Sequence, residues 1–214
     1  MKVNPFSCEK KCGILEIQSP TEFIVITGGP GAGKTALLEF VRKILCERIA
    51  ILPEAASILF GGGFLRLTSN SAKRAEQRAI YHIQNEMQNM VLGEGQWLIG
   101  LCDRGTLDGL AYWPSSEIDF CAELKTSIEN EYLKYKAVIH LSSPDSKGGY
   151  NFQNPLRIES ADEAHLIDLR INQVWRGHPN YTQISSKEEF LDKVHEAASI
   201  IESLLPESCK MKKR

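Results

Sequence analysis

Residues 21–40 read TEFIVITGGPGAGKTALLEF. An apolar run, Phe23 to Ile26, ends in a glycine-rich turn, followed by Lys34, Thr35 and an amphipathic stretch. Gly28-Gly29-Pro30-Gly31-Ala32-Gly33-Lys34-Thr35 fits the pattern G-x-x-x-x-G-K-[ST] without a mismatch. The chemistry accounts for each position. Glycines let the backbone curl so that successive N–H groups point inward at phosphate oxygens. The helix that follows adds the positive end of its dipole. Lys34 is placed to reach β- and γ-phosphates, Thr35 to offer its hydroxyl to Mg²⁺, and Ala36 belongs to the same first turn. A plain strand-to-helix turn with an exposed lysine leaves the Lys-Thr pair at those two places unexplained.

The rest of the chain repeats the strand-then-helix rhythm. Short apolar runs fall at Phe23–Thr27, Ile49–Leu52, Trp97–Cys102, Ala137–Leu141 and, weakest, Tyr181–Ile184. Unbroken runs of this kind mark strands buried on both faces. Between them lie helical stripes: Leu37, Leu38, Val41, Ile44 and Leu45; Ile80, Ile83, Met87, Met90 and Val91 in a helix over Ser71–Val91; Ala164, Ile167, Ile171 and Val174; and Phe190, Val194, Ala197, Ile201 and Leu204. Ser160 with Glu163, and Ser186 with Glu189, have capping-box spacing. The expectation is an α/β domain of three layers, a parallel five-stranded sheet flanked by helices. In such a sheet ligands gather at the carboxyl ends of the strands. Gly28–Thr35, Glu54, Asp103-Arg104 and Ser142-Ser143 all follow strands.

Composition narrows the partners. The 214 residues suit one domain, with a core over about 22–205 and a small mobile insertion. A formal net charge of -2 argues against a general nucleic-acid binder. The basic tail Lys210, Lys212, Lys213 and Arg214 reads as a solvated end. The six cysteines lack metal-finger spacing and read as reduced thiols of a cytoplasmic protein. No apolar stretch reaches the length of a membrane span.

Three fates are open to a bound phosphate chain: cleavage by water, transfer, or retention as a signal. A water-activating ATPase strand usually ends in Asp-Glu, but QWLIGLCDRG ends in Asp103-Arg104. A cation at the second position cannot take a proton from water, but it can sit against a phosphate. No N-K-x-D tetrapeptide for guanine is present, and the D-x-x-G match at Asp145–Gly148 lies far from the loop. Transfer needs a carboxylate for the acceptor hydroxyl and cations for the moving phosphoryl group. Glu54 and Asp103 are the candidate acids, with Asp103 also a candidate Mg²⁺ ligand alongside Thr35. Arg157, in a segment that begins Gly148-Gly149, is a candidate lid cation, and Arg170 and Arg176 are further ones. His82 is expected to face water, His178-Pro179 to form a turn, and Trp113 to pack in the core.

The blocks ILPEAAS, CDRGTLDGLAYWP, VIHLSSP and RIESADEAHLIDLRINQVWRGHPNYTQI, together with the loop, resemble the AAA-type ATP-binding domain family that includes the nicotinamide-riboside kinase half of NadR and the TRPL translocation defect proteins. The resemblance implies a P-loop NTPase fold of the nucleoside- and nucleotide-kinase kind, with a lid over about 145–176. It implies ATP or GTP with Mg²⁺ on residues 28–36, Glu54 as the acid, Arg104 as the arginine of a D/E-R motif, Arg157 as the lid arginine and Ser185 near the purine ring. A small-molecule hydroxyl acceptor is the expected partner, with a homodimer as a candidate assembly. The family also includes members proposed to hold GTP and phosphoinositides, so a regulatory, slowly hydrolysing module stands as the alternative.

Overall fold

The computed structural model describes residues 20–143, 161–186 and 190–209. Five strands, β1 (Glu22–Thr27), β2 (Ile49–Leu52), β3 (Ile99–Asp103), β4 (Tyr135–Leu141) and β5 (Tyr181–Ile184), form one sheet in the order β2-β3-β1-β4-β5. Every neighbouring pair is parallel, with Ile24 level with Leu101 on one side and Ala137 on the other. The five expected strands are thus all present, with shifts of one or two residues at the ends of three. Parallel pairing follows from the helices that intervene between strands.

Alternation along the central strand splits the core into two. Ile24 and Ile26 pack with Leu37, Leu38 and Val41 of α1 (Lys34–Ile44) and with Val194, Ala197 and Ile201 of α7 (Phe190–Leu204). Phe23 and Val25 face the other way, onto Tyr81 and Val91 of α3 (Asn70–Glu94) and Ile171 and Trp175 of α6 (Ala161–Trp175). The remaining helices are α2 (Ala55–Gly61), α4 (Glu117–Leu124), α5 (Ile128–Tyr132) and two 3-10 helices, Thr106–Tyr112 directly after β3 and Glu207–Cys209 after α7. Each layer buries a face that neither could hide alone, at about 25 cal/mol per Å² of apolar surface.

The long helix departs from expectation. It runs Asn70–Glu94, with Ser69 capping it by accepting from the Ala72 N–H. Its buried residues are Glu76, Gln77, Tyr81, Gln84, Gln88 and Val91, whereas Met90 is 60% exposed. The apolar stripe read from Ile80, Ile83, Met87 and Met90 is therefore only half-buried or exposed. The inward face is polar because it meets a polar surface. Gln84 donates to the Arg104 carbonyl, Gln88 to the Tyr135 hydroxyl, and Tyr81 to Glu131. Glu131, fully buried, also accepts from Thr106, Thr126 and Lys134, which offsets the cost of burying its charge. Trp113 is buried against Phe120, His82 is exposed, and His178 closes the turn beneath β5, as read from the sequence.

Candidate functional site

The loop between β1 and α1 takes its shape from glycine. Gly28 has φ +135°, and a Cβ there would fall 2.1 Å from the Leu141 carbonyl oxygen. Gly33, at φ +96°, is the N-cap of α1. The first helical donor is the Leu37 N–H, bonded to the Gly33 carbonyl. The amides of Lys34, Thr35 and Ala36 therefore have no intrahelical acceptor and are free for an anion. Pro30 and Ala32 are buried, Gly31 is half-buried, and Thr35 and Ala36 are exposed at the helix start. Lys34 turns back into the loop, where its Nζ donates to the Gly28 and Gly29 carbonyls at 2.9 and 3.0 Å. Burial, reinforced by the Arg104 charge, pushes this ammonium down to about 8. An anion at the loop would restore its charge.

Asp103 ends β3 and is 8% exposed. Its Oδ1 is buried with no hydrogen-bond partner among the described residues. Burial pushes its carboxyl up to about 6, although the charge of Lys34 pulls the other way. A buried carboxylate oxygen without a partner is a group poised for a cation.

Arg104 follows in the left-handed region at φ +75°, a costly conformation for a side chain larger than Asn. Its N–H bonds the Ile26 carbonyl and its own carbonyl accepts from Gln84, so both peptide groups are fixed. The bend directs the guanidinium across the sheet edge. Its Nε donates to Glu54 Oε1 at 2.6 Å, and Nη1 donates to Asp108 Oδ2 at 3.2 Å and to the Gly28 carbonyl at 3.3 Å. Sequence reasoning expected Arg104 at a phosphate; the structure directs these two nitrogens to two carboxylates and the loop backbone. Glu54, at the N-cap of α2, accepts a second bond from Ser57 Oγ at 2.5 Å. Burial alone would raise its carboxyl, but the Arg104 and Lys34 charges and these bonds hold it at about 2.

Asp108 had no assigned role in the sequence reading, although D-R-G-x-x-D was among the noted blocks. It lies 3% exposed in the 3-10 helix, accepting from Thr27 Oγ1 at 2.6 Å and Trp175 Nε1 at 2.7 Å besides Arg104. It joins β1, the 3-10 helix and α6 at the root of the site. The only sequence signal for it was its fixed distance from Asp103.

Beside the loop opens a cavity of about 590 Å³. Lys34, Thr35, Glu54, Asp103 and Arg104 line it, together with Gln77, Tyr81, Gln84 and Tyr112 and with Glu163, Leu166, Ile167 and Arg170 of α6. Ser185 is exposed after β5, and no described contact joins it to the loop. Arg176 is exposed. Arg157, Ser160, Asp145–Gly148 and the first half of the expected lid lie outside the described residues; its second half, with α6, is described. Glu189 also falls outside them. Among the described residues, no three or more His, Cys, Asp or Glu gather to hold a metal, and no helix is long and apolar enough to cross a membrane.

No curated protein matches the chain. Among solved structures, the chain is similar to deoxyadenosine kinase from M. mycoides with bound dATP, at a TM-score of 0.59 and 12% identity, over 84% of this chain and 98% of that one. At that identity the likeness establishes the fold, a P-loop nucleoside-kinase fold. A family model described as AAA domain matches residues 23–190. That span holds the loop, Glu54, Asp103, Arg104 and Asp108, and on it the chain belongs to the AAA domain family.

Proposed function

We propose that the protein is a kinase-like phosphotransferase that moves the γ-phosphoryl group of ATP or GTP to a hydroxyl of a nucleoside-like or ribosyl acceptor. The observation that carries this reading is one cavity lined both by the loop residues Lys34 and Thr35 and by Glu54, Gln77, Tyr81 and Gln84. A carboxylate and several hydrogen-bonding side chains in the same cavity as the loop suit an acceptor hydroxyl beside the phosphates.

The residues suit a nucleotide with Mg²⁺: a glycine cradle, a free helix N-terminus, the Thr35 hydroxyl and the orphaned Asp103 oxygen. Thr35 and Asp103 would hold Mg²⁺, directly or through water, and the ion would supply positive charge against the phosphates. Lys34 would leave the loop carbonyls for the phosphate oxygens. Glu54 is ionised at every physiological pH and, at about 2, is too weak a base to remove a proton early. Its task is to accept a hydrogen bond from the acceptor hydroxyl and aim that oxygen at phosphorus, taking the proton late in a loose transition state. Arg104 and Ser57 lock the carboxylate for this purpose. Arg157 keeps the role of lid cation and Ser185 that of purine neighbour, as the family resemblance suggests.

The test is nucleotide turnover by the purified protein with Mg²⁺, ATP and GTP run separately, alone and against nucleosides, nicotinamide riboside and phosphoinositides. The expected result is turnover that depends on one acceptor and falls about a hundredfold in Glu54→Gln. Tight binding with negligible turnover under every condition refutes the kinase and leaves the regulatory module.

A further inference from the structure

Besides Arg104 at the Gly28 carbonyl and Ser143 Oγ at the Pro30 carbonyl, two charged side chains from the flanking helices grip the loop backbone. Asp168 of α6, 5% exposed, accepts from the Gly29 N–H at 2.6 Å through Oδ1 and from the Ser143 N–H at 3.0 Å through Oδ2. His140 Nε2 lies 3.1 Å from Oδ1, although not aligned for a hydrogen bond. Lys193 of α7, also 5% exposed, donates from Nζ to the Ala32 carbonyl at 2.8 Å and the Ser142 carbonyl at 2.6 Å. One peptide near the start of the loop and one near its end are thus each tied to the end of β4, one by α6 and one by α7.

The charges make a purely electrostatic role improbable for the first of these. A carboxylate beside an anion site repels the anion, so by charge alone Asp168 weakens phosphate binding. Its contribution has to be geometric. A peptide plane held at Gly29 and another at Ala32 fix where the amides between and after them point, and preformed donors bind an oxyanion without a reorganisation cost. We propose that Asp168 and Lys193 are positioning residues for nucleotide binding, acting through the peptide planes of Gly29 and Ala32. The proposal rests on the nucleotide half of the reading above and is independent of what the acceptor is. It also gives α6 two roles, since Leu166, Ile167 and Arg170 of the same helix wall the cavity.

Charge and geometry predict opposite signs, which makes the test sharp. The full chain is titrated calorimetrically with Mg·ADP as wild type, Asp168→Asn, Lys193→Arg and, as a control for general loosening of α6, Ile171→Val. Asp168→Asn removes the repelling charge but sets an amide N–H₂ against one of the two backbone donors. Lys193→Arg keeps the charge and changes the donor geometry. Positioning predicts that both bind Mg·ADP about tenfold more weakly, the effect of losing one buried hydrogen-bonded contact. Ile171→Val is expected to stay within about twofold, since it only trims the core. Unchanged or tighter binding by Asp168→Asn overturns the proposal. If that variant does not fold, unchanged binding by Lys193→Arg does so. A wild type that binds Mg·ADP without acceptor-dependent turnover removes the kinase and leaves this comparison intact; a wild type that binds no nucleotide overturns both.

Discussion

Replacing Asp103 with asparagine is expected to stabilise the free protein at neutral pH while removing its response to Mg²⁺. The folded chain raises this carboxyl from 3.8 to about 6, mainly by burial. The folded state therefore binds the proton more tightly than the unfolded chain does. That contribution to stability is complete below pH 3.8 and lost as pH rises through 6. The gap corresponds to about 3 kcal/mol of destabilisation carried by the ionised group. Asparagine removes the charge but brings a buried amide donor of its own, costing about 1 kcal/mol. The net expectation is a variant about 2 kcal/mol more stable than wild type above pH 6, and about half a kcal/mol less stable near pH 4. The difference changes sign at about pH 4.5. Glu54 acts in the opposite direction, since its depressed carboxyl makes stability rise with pH up to 4.5, but it does so in both proteins and cancels. The assay is urea unfolding with chelator present, across pH 4 to 8, read as the difference between the two proteins. Adding Mg²⁺ to the protein with saturating ADP should then raise the midpoint of wild type further and not that of the variant. A variant less stable than wild type at pH 8, or a difference that ignores pH, refutes the reasoning. Asp103 would then be held by Lys34 and Arg104 rather than penalised by burial.

Two other outcomes follow from the same geometry. Because Lys34 titrates at about 8 in the free protein and an anion restores its charge, nucleotide binding should take up a proton above pH 8 and weaken as pH climbs toward 10.5. Calorimetry in two buffers of different ionisation enthalpy reads that proton, and its absence near pH 9 contradicts the buried-lysine account. Gly28→Ala should cost about 3 kcal/mol, since its Cβ would meet the Leu141 carbonyl at 2.1 Å in a left-handed backbone. A urea midpoint equal to wild type would mean that the loop backbone is not held as described.

The buried charges around the site divide by role. Asp108 is saturated, with donors from Thr27, Arg104 and Trp175, and so serves to hold Arg104. Glu131 is likewise saturated, and it braces Tyr81 and Thr106 behind the cavity wall. Asp103 alone among these acids keeps a buried oxygen without a partner among the described residues. That contrast, more than its place after a strand, supports the proposed role of Asp103 toward a metal.

Local signals in the chain were enough for the strands, the phosphate loop and the location of Glu54, Asp103 and Arg104. Buried parallel strands are written as unbroken apolar runs, and a backbone that must curl around an anion demands glycine at fixed places, so both are legible residue by residue. What only the tertiary structure decided depends on partners distant in sequence. The inward face of α3 is Gln77, Tyr81, Gln84 and Gln88 because it meets the Arg104 carbonyl, Glu131 and Tyr135, and an apolar periodicity cannot report a polar partner. The direction of Arg104 was hidden for a like reason: its left-handed backbone and its pairing with Glu54 arise from contacts that no local pattern encodes. Asp168 reaches Gly29 across 139 residues and Lys193 reaches Ala32 across 161, each from a helix whose sequence shows only an ordinary charged position. A charged residue becomes a clamp on the phosphate loop only when the sheet order brings β4 beside β1 and lays α6 and α7 against the end they share.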